Sequence, residues 1–311
     1  MKFINGLKSV KASDQACVAT IGNFDGLHLG HQAIISHLKN KANQLNLPLT
    51  VISFEPLPTE FFMSDPPARI FPIRDKACKL SALGVDNFLC LKFDKTLANT
   101  QPVDFIEKIL IDSLNVKHLA VGDDFRFGYK RGGGFHLLQE IGKKHDMLVE
   151  DTETQILQGE RISSTRIREA LGNGEIDTAN QLLGHNYQLS GRIRHGDKRG
   201  RTIGYPTINI KLPKQIAARK GVYAVKLHGL KDQAMYGIAN LGMRPTVKGS
   251  ENRLETHIFD FEENVYGKYL SVELLDFVRD EQSFENLQSL KEQILIDTSI
   301  VKTYLSTISD I

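Results

Sequence analysis

The chain has 311 residues, 41% of them hydrophobic and 24% charged, with a formal net charge of +2. It is long enough for two ordinary globular domains, and its near-neutrality gives no overall field that would gather nucleic acid or an anionic membrane. No apolar run reaches the roughly 18 residues a spanning helix needs, and the opening MKFINGLKSVKASDQ lacks the apolar core of a secretory signal.

In chain order, apolar runs at 17–21, 50–54, 88–93, 119–122 and 147–150 read as strands. Between the first two, Ile34, Leu38, Ala42 and Leu45 recur at helical spacing, and further helices read at 75–83, 103–114 and 135–144. Strands alternating with helices imply parallel strands joined by right-handed crossovers, hence an α/β doubly wound parallel sheet. Ligands of such sheets bind beyond the carboxyl ends of strands, where 22–31 and 122–128 fall. After Leu183 the pattern changes to strands without helices between them, at 187–194, 207–212, 222–227, 234–241, 254–261 and 270–279. These predict an antiparallel barrel or sandwich. A C-terminal helix closes the chain, with Leu287, Leu290, Ile294, Leu295, Val301, Tyr304, Leu305 and Ile308 as one apolar stripe expected to pack across the barrel. The boundary is placed near Gly184, giving domains 1–184 and 185–311. Cys17, Cys78 and Cys90 are scattered, two of them in strand-like runs, which favours buried reduced thiols and a cytoplasmic setting.

The most informative segment is GNFDGLHLGH, Gly22 to His31. Its glycines permit close backbone approach, the following helix presents unpaired amides to an anion, and imidazoles donate to phosphate oxygens. With the helix begun by His28, the rings of His28 and His31 share one face. A two-histidine metal site without its third ligand, or a plain strand-turn-helix, are the other readings. GDDFRFG, Gly122 to Gly128, joins an acidic pair to aromatic rings at a strand end, or is a simple acidic turn. In ISSTRIREAL, Ser163, Ser164 or Thr165 caps a helix whose amides suit phosphate, with Arg168 a turn further on. A capped surface helix explains it equally.

Gly22 to His31 resembles the signature of the HxGH nucleotidyltransferases. With GDDFRFG and ISSTRIR it resembles the adenylyltransferase half of the prokaryotic bifunctional riboflavin kinase/FAD synthetase family. The resemblance implies ATP binding by Gly22, Asn23, Phe24, His28, His31, Ser164, Thr165 and Arg168, with His28 and His31 catalytic. SFEPLP resembles the family's FxPxP loop, implying flavin contacts from Phe54 and Pro56, joined by Asp124 and Phe127. Many members carry a polar residue where this chain has Leu57. The phosphate of FMN is already an anion, so its attack on ATP needs no base. The site must supply charge neutralisation in line with departing pyrophosphate.

GRIRHGDKRGRTIGYPTINI, Gly191 to Ile210, gathers Arg192, Arg194, Lys198, Arg199 and Arg201. A nucleic-acid patch would interleave aromatic rings through such a run, and this one does not. Thr207 and Asn209 are two apart at a strand start, so they face one side and could ligate a hard cation such as Mg2+ beside nucleotide phosphates. GVYAV, GIANLGMRPTVKG, LETHIFDF and FVRDE then resemble the riboflavin kinase domain in order and spacing. The resemblance implies Glu255 as catalytic base, ATP binding by Gly196, Lys198, Gly200, Thr207 and Asn209, Mg2+ on Thr207 and Asn209, and a flavin contact from Arg279. A base fits, because the ribityl hydroxyl is a poor nucleophile. His257 shares the face of Glu255 and reads as structural, and a surface ion pair of Arg279 with Asp280 or Glu281 is the alternative to flavin contact. The expectation is an enzyme that phosphorylates riboflavin to FMN and adenylylates FMN to FAD. ATP and Mg2+ serve each step, with flavin as substrate and product, no nucleic-acid or membrane partner, and an open oligomeric state that includes the monomer.

Overall fold

The computed structural model describes residues 1–122, 124–152, 154–195, 204–213, 215–246 and 249–308. Two compact units result: Met1–Pro67 with Phe71–Ser163, and Ala68–Ile70 with Ser164–Ile311.

In the first unit the strands are β1 (Lys2–Asn5), β2 (Val18–Ile21), β3 (Leu49–Glu55), β4 (Asn87–Lys92), β5 (His118–Gly122) and β6 (Leu148–Thr152). They form one parallel sheet of order β1-β4-β3-β2-β5-β6. The helices are α1 (Leu29–Leu45), α2 (Pro58–Phe62), α3 (Ile73–Ala82), α4 (Lys95–Ala98), α5 (Pro102–Phe105), which runs on as a π-helix over Ile106–Ser113, and α6 (Phe135–Lys144). β2 and β3 are buried along nearly their whole length, as strands covered on both faces must be. Alternate residues feed two cores. Val18, Leu49, Val51 and Phe88 pack with Ile35, Leu38 and Leu80 of α1 and α3. Ala19, Ile21, Ile52 and Leu119 pack with Phe105, Ile109 and Leu138 on the other face. The strand order reverses beside β2, whose neighbours are β3 and β5, so the loops after β2 and β5 flank the switch point where such sheets bind ligands. The predicted doubly wound sheet is therefore present. It has one strand more than the sequence pattern suggests: β1 is an edge strand with only Ile4 buried, too polar to register as an apolar run. The short antiparallel pair β7 (Ile156–Leu157) and β8 (Glu160–Arg161) closes the unit.

The second unit starts with α7 (Ser164–Asn173) and α8 (Ile176–Leu183). Its strands β9 (Gln188–Arg194), β10 (Ile208–Lys211), β11 (Gly221–His228), β12 (Met235–Thr246), β13 (Gly249–Ile258) and β14 (Tyr269–Asp280) form a closed antiparallel barrel of order β10-β13-β12-β11-β14-β9. Closure leaves no open edge. The α7–α8 hairpin packs on this barrel: Gly174 (φ +84°) lies so close to Phe277 that a Cβ would sit 2.9 Å from its ring. The amide of Arg219 donates to the carbonyl of Leu171. The hairpin thus packs with the barrel, although the sequence reading sets the domain boundary at Gly184. β12 and β13 run further into their connecting hairpin than predicted, because Gly242, Pro245 and Gly249 carry turn signals. The C-terminal helix α9 (Leu287–Ile308) seats Val301, Tyr304, Leu305 and Ile308 on Val222, Ala224, Tyr236 and Ile238. The predicted stripe of eight holds for that C-terminal half, whereas Leu287 and Leu295 are exposed.

Candidate active sites

In the first unit, Ile21 ends β2 and the chain turns through Phe24 (φ +46°), Gly26 (φ +86°) and Leu27 (φ +47°) before α1. Left-handed backbone at two side-chain-bearing residues costs about 1–3 kcal/mol each. Phe24 and Leu27 offset it because both are fully buried in the core beside α1, a burial that contributes about 1.5–3 kcal/mol per side chain. The turn is pinned further by Ser53, whose hydroxyl donates to the Asn23 carbonyl at 3.1 Å, and by Lys76, whose Nζ donates to the same carbonyl at 2.7 Å. Asp25 is buried, and its Oδ1 accepts from the amide of Phe71 at 3.3 Å.

α1 begins at Leu29, so His28 is the N-cap residue and His31 the third helical residue. The two rings stack with centroids 3.7 Å apart, and Phe24 tilts against His31 at 4.9 Å. The Nδ1 atoms of both histidines are shielded from solvent and find no hydrogen-bond partner among the described residues. Burial pushes the pKa of His28 down to about 4, helped by the charge of Arg161. It pushes His31 well below the ordinary range, helped by His28 and Lys76. Both imidazoles are therefore neutral near pH 7. They can donate a hydrogen bond to a phosphate oxygen but bring no charge, so neutralisation must come from neighbours.

Sequence reasoning passed over two such neighbours. Lys76 is 4% exposed; its signal was a lysine at helical spacing with the apolar Ile73 and Leu80 of α3. Arg161 pairs with Asp124 at 3.0 Å. Asp124 is mostly exposed, while Phe54 and Phe127 are buried in the core and Pro56 is half-buried. Phe127 stacks on Phe125 at 5.5 Å and tilts on Phe105. Phe54 meets Phe93 edge-on, and Phe93 in turn meets Phe61 and Phe62. Phe62 is 67% exposed, and nothing in the spacing singled it out. Leu57 is buried as the residue before α2, with its amide capped by Glu60 at 2.8 Å, so its side chain belongs to the core.

Ser164, Thr165 and Arg168 belong to the second unit. α7 starts at Ser164, which leaves Ser163 at the N-cap position; Thr165 is exposed, and Arg168 Nε donates to the Ala68 carbonyl at 2.7 Å.

On the barrel, register decides which side chains meet. Glu255 of β13 lies opposite Asn209 of β10 and Asn240 of β12, and cross-strand partners share a face. The even-numbered residues Leu254, Thr256 and Ile258 fill the barrel, so Asn209, Glu255 and Asn240 form a row on its outer face. His257 is on that face too and binds the Pro206 carbonyl through Nδ1 at 2.9 Å, a structural task as expected. Asn209 is 5% exposed, yet its Oδ1 has no hydrogen-bond partner among the described residues. Arg244 of β12 grips both oxygens of Glu255, Nε to Oε1 at 3.0 Å and the terminal nitrogen to Oε2 at 3.1 Å. A pocket of about 490 Å³ opens beside Thr207, lined also by His195, Thr256, Glu262 and Tyr266. Gly196, Lys198 and Gly200 lie outside the described residues.

Arg279 forms no side-chain ion pair with Asp280 or Glu281, although its Nη1 donates to the Asp280 carbonyl at 2.8 Å. Its guanidinium is clamped on Asp297 of α9 at 2.7–3.0 Å, Asp297 being 2% exposed. Asp280 is taken by Arg219 at 2.6 Å. In the sequence the near carboxylates are only the alternative to a flavin contact, and the one that holds Arg279 is 18 residues away on another element.

A parallel-sheet nucleotide fold carrying a histidine turn, followed by a barrel carrying a carboxylate row, defines a two-site transferase. Residues 10–166 match the FAD synthetase family and residues 183–305 the riboflavin kinase family. The bifunctional riboflavin kinase/FMN adenylyltransferase of Haemophilus influenzae is 45% identical over 99% of this chain and 100% of its own length. That of Escherichia coli K12 is 45% identical over 96% of each. A solved structure described as a macrolide-efflux protein from Streptococcus pneumoniae superposes with a TM-score of 0.81 at 29% identity, covering 97% of this chain and 99% of that one. The chain belongs to the bifunctional riboflavin kinase/FMN adenylyltransferase family, enzymes that make FMN from riboflavin and FAD from FMN.

Proposed function

We propose a division of these two reactions at residue level. In residues 1–184, the turn 22–24 with His28 and His31 binds ATP for adenylyl transfer, Phe54, Pro56, Asp124 and Phe127 form the flavin side, and Ser164, Thr165 and Arg168 are ATP contacts by the family resemblance. In residues 185–311, Glu255 accepts the proton of the ribityl hydroxyl as it attacks the γ-phosphate, and Arg279 lies toward the flavin. Thr207, Asn209 and the segment with Gly196, Lys198 and Gly200 hold ATP. Supporting the first assignment is the stacked histidine pair at a helix N-terminus, each ring with an Nδ1 that has no hydrogen-bond partner among the described residues. Supporting the second is the row Asn209, Glu255, Asn240.

The orphaned Oδ1 of Asn209, two residues from the Thr207 hydroxyl, suits a hard cation carried by nucleotide phosphates. Mg2+ held there would offset phosphate charge during transfer. Among the described residues no group of three or more His, Cys, Asp or Glu is placed to hold a metal ion. The partners are riboflavin, FMN and ATP, without nucleic acid or membrane. Three free cysteines agree with a cytoplasmic setting, and no helix of the described residues is long and apolar enough to cross a membrane.

The test is a time course of riboflavin with MgATP, FMN and FAD being separated by chromatography, in variants of each site. A Glu255 change that stopped FMN-to-FAD conversion equally with FMN formation would sink the division.

A further inference from the structure

The proton acceptor of the kinase reaction is gripped by a cation in this structure. Arg244 meets both Glu255 oxygens at 3.0 and 3.1 Å, a fork on a carboxylate that orients as well as attracts. Register carries Arg244 to this place. On the outer face of the barrel, β12 presents Asn240, Gly242 and Arg244 beside Glu255, Arg253 and Glu251 of β13, and Arg244 reaches back along the strand from Glu251 to Glu255. Two other cations on this face, Lys211 and Arg253, converge on Glu251 at 2.7 and 2.8 Å. The Arg244 side chain is 41% exposed.

Resting on the reading of Glu255 as base, we propose that Arg244 is a further catalytic residue of the kinase site, one that leaves Glu255 for the transferring phosphoryl group during turnover. The geometry leaves little distance to cross. A hydroxyl delivering its proton to Glu255 stands about 2.6–3.2 Å from a carboxylate oxygen, and the phosphorus it attacks stands about 3–3.5 Å beyond it. A guanidinium already touching that carboxylate is one side-chain swing from the phosphoryl oxygens. The chemistry supplies the reason to move. The hydroxyl gives its proton to Glu255, its oxygen bonds to the γ-phosphorus, and the bond to the β-phosphate oxygen breaks with its electron pair leaving on ADP. Glu255 is then neutral and no longer holds a cation, while charge is spread over the phosphoryl oxygens, where two parallel N–H donors fit.

The experiment compares Arg244→Ala, Arg244→Lys and Glu255→Gln in the full-length chain, measuring kcat and KM for FMN formation, riboflavin affinity by flavin fluorescence, and FMN-to-FAD conversion as a check on folding. Arg244→Ala is expected to lose about 100-fold to 1,000-fold in kcat, with riboflavin affinity little changed and partial rescue by added guanidinium ion. Lysine, keeping the charge but losing the fork, should restore only part of the rate. Unchanged or raised kcat in Arg244→Ala beside an inactive Glu255→Gln would overturn the role of Arg244 alone, leaving it a passive cover on the base. Activity retained in Glu255→Gln would instead overturn the reading of the base. A kcat loss in a well-folded Arg244→Ala that guanidinium does not rescue and lysine fully restores also counts against a forked phosphoryl contact.

Discussion

On the proposed division, the histidine turn of the first unit and the carboxylate row of the second face opposite problems. FMN arrives at the first with a nucleophile already charged, so the turn needs donors and nothing to remove a proton. Its histidines are neutral, with Nδ1 atoms that are shielded and without a hydrogen-bond partner among the described residues, and strained backbone is held by buried Phe24 and Leu27. The second must deprotonate an alcohol. Its acid group stands on a half-open strand face, where register lines it up with two asparagines and Arg244 meets both its oxygens. Burial suppresses ionisation of the histidines, whereas the carboxylate stands under a guanidinium fork on the outer strand face.

The largest effect should come from Glu255→Gln. Removing a general base costs about two to four orders of magnitude, so FMN formation should collapse while supplied FMN is still converted to FAD; the two rates, measured on one preparation, check it. The converse follows for His31→Ala. Loss of a preorganised donor costs about 100-fold to 1,000-fold, here in FAD formation only, and an unaltered FAD rate would take His31 out of the site.

These paired outcomes follow from residues that the sequence exposes unevenly. Alternating strands and helices, the Gly22 to His31 turn and the barrel's change of texture are all local patterns, and they are present as read. What spacing could not show is set by tertiary contact. The neutrality of the histidines depends on burial and on Lys76 and Arg161, which lie 45 or more residues away in sequence. The grip of Arg244 on Glu255 needs the β12–β13 register, through a hairpin whose glycines and proline look like a loop. Arg279 finds Asp297 because α9 folds back over the barrel, and a helix stripe does not reveal that one of its buried positions is an aspartate.

That last contact gives the next prediction. Asp297→Asn removes the carboxylate that accepts three guanidinium bonds from Arg279. Breaking a buried pair from one side costs about 3–5 kcal/mol, and the partial exposure of Arg279, 17%, places this one near about 3 kcal/mol. The thermal transition of the barrel should fall, with FMN formation affected more than FAD formation. Equal stability in the variant and the parent would show that the clamp contributes nothing net.

The last comparison separates the two regions by pH. His28 has a folded pKa of about 4 against an ordinary 6.5, and His31 is lowered in the same direction. Below pH 6.5 the unfolded chain binds protons that the folded turn refuses, so acid favours unfolding. Stability of the first unit is therefore complete above pH 6.5 and declines as pH falls toward 4, by up to about 1.4 kcal/mol per pH unit for each histidine. Denaturant midpoints of the parent and of a His28→Gln, His31→Gln variant should differ by a constant amount above pH 6.5 and change relative to one another below it, the parent losing more. Parallel profiles down to pH 4 would mean that the rings take up protons in the folded turn, and the neutral-donor account of the adenylyl site would fail with them.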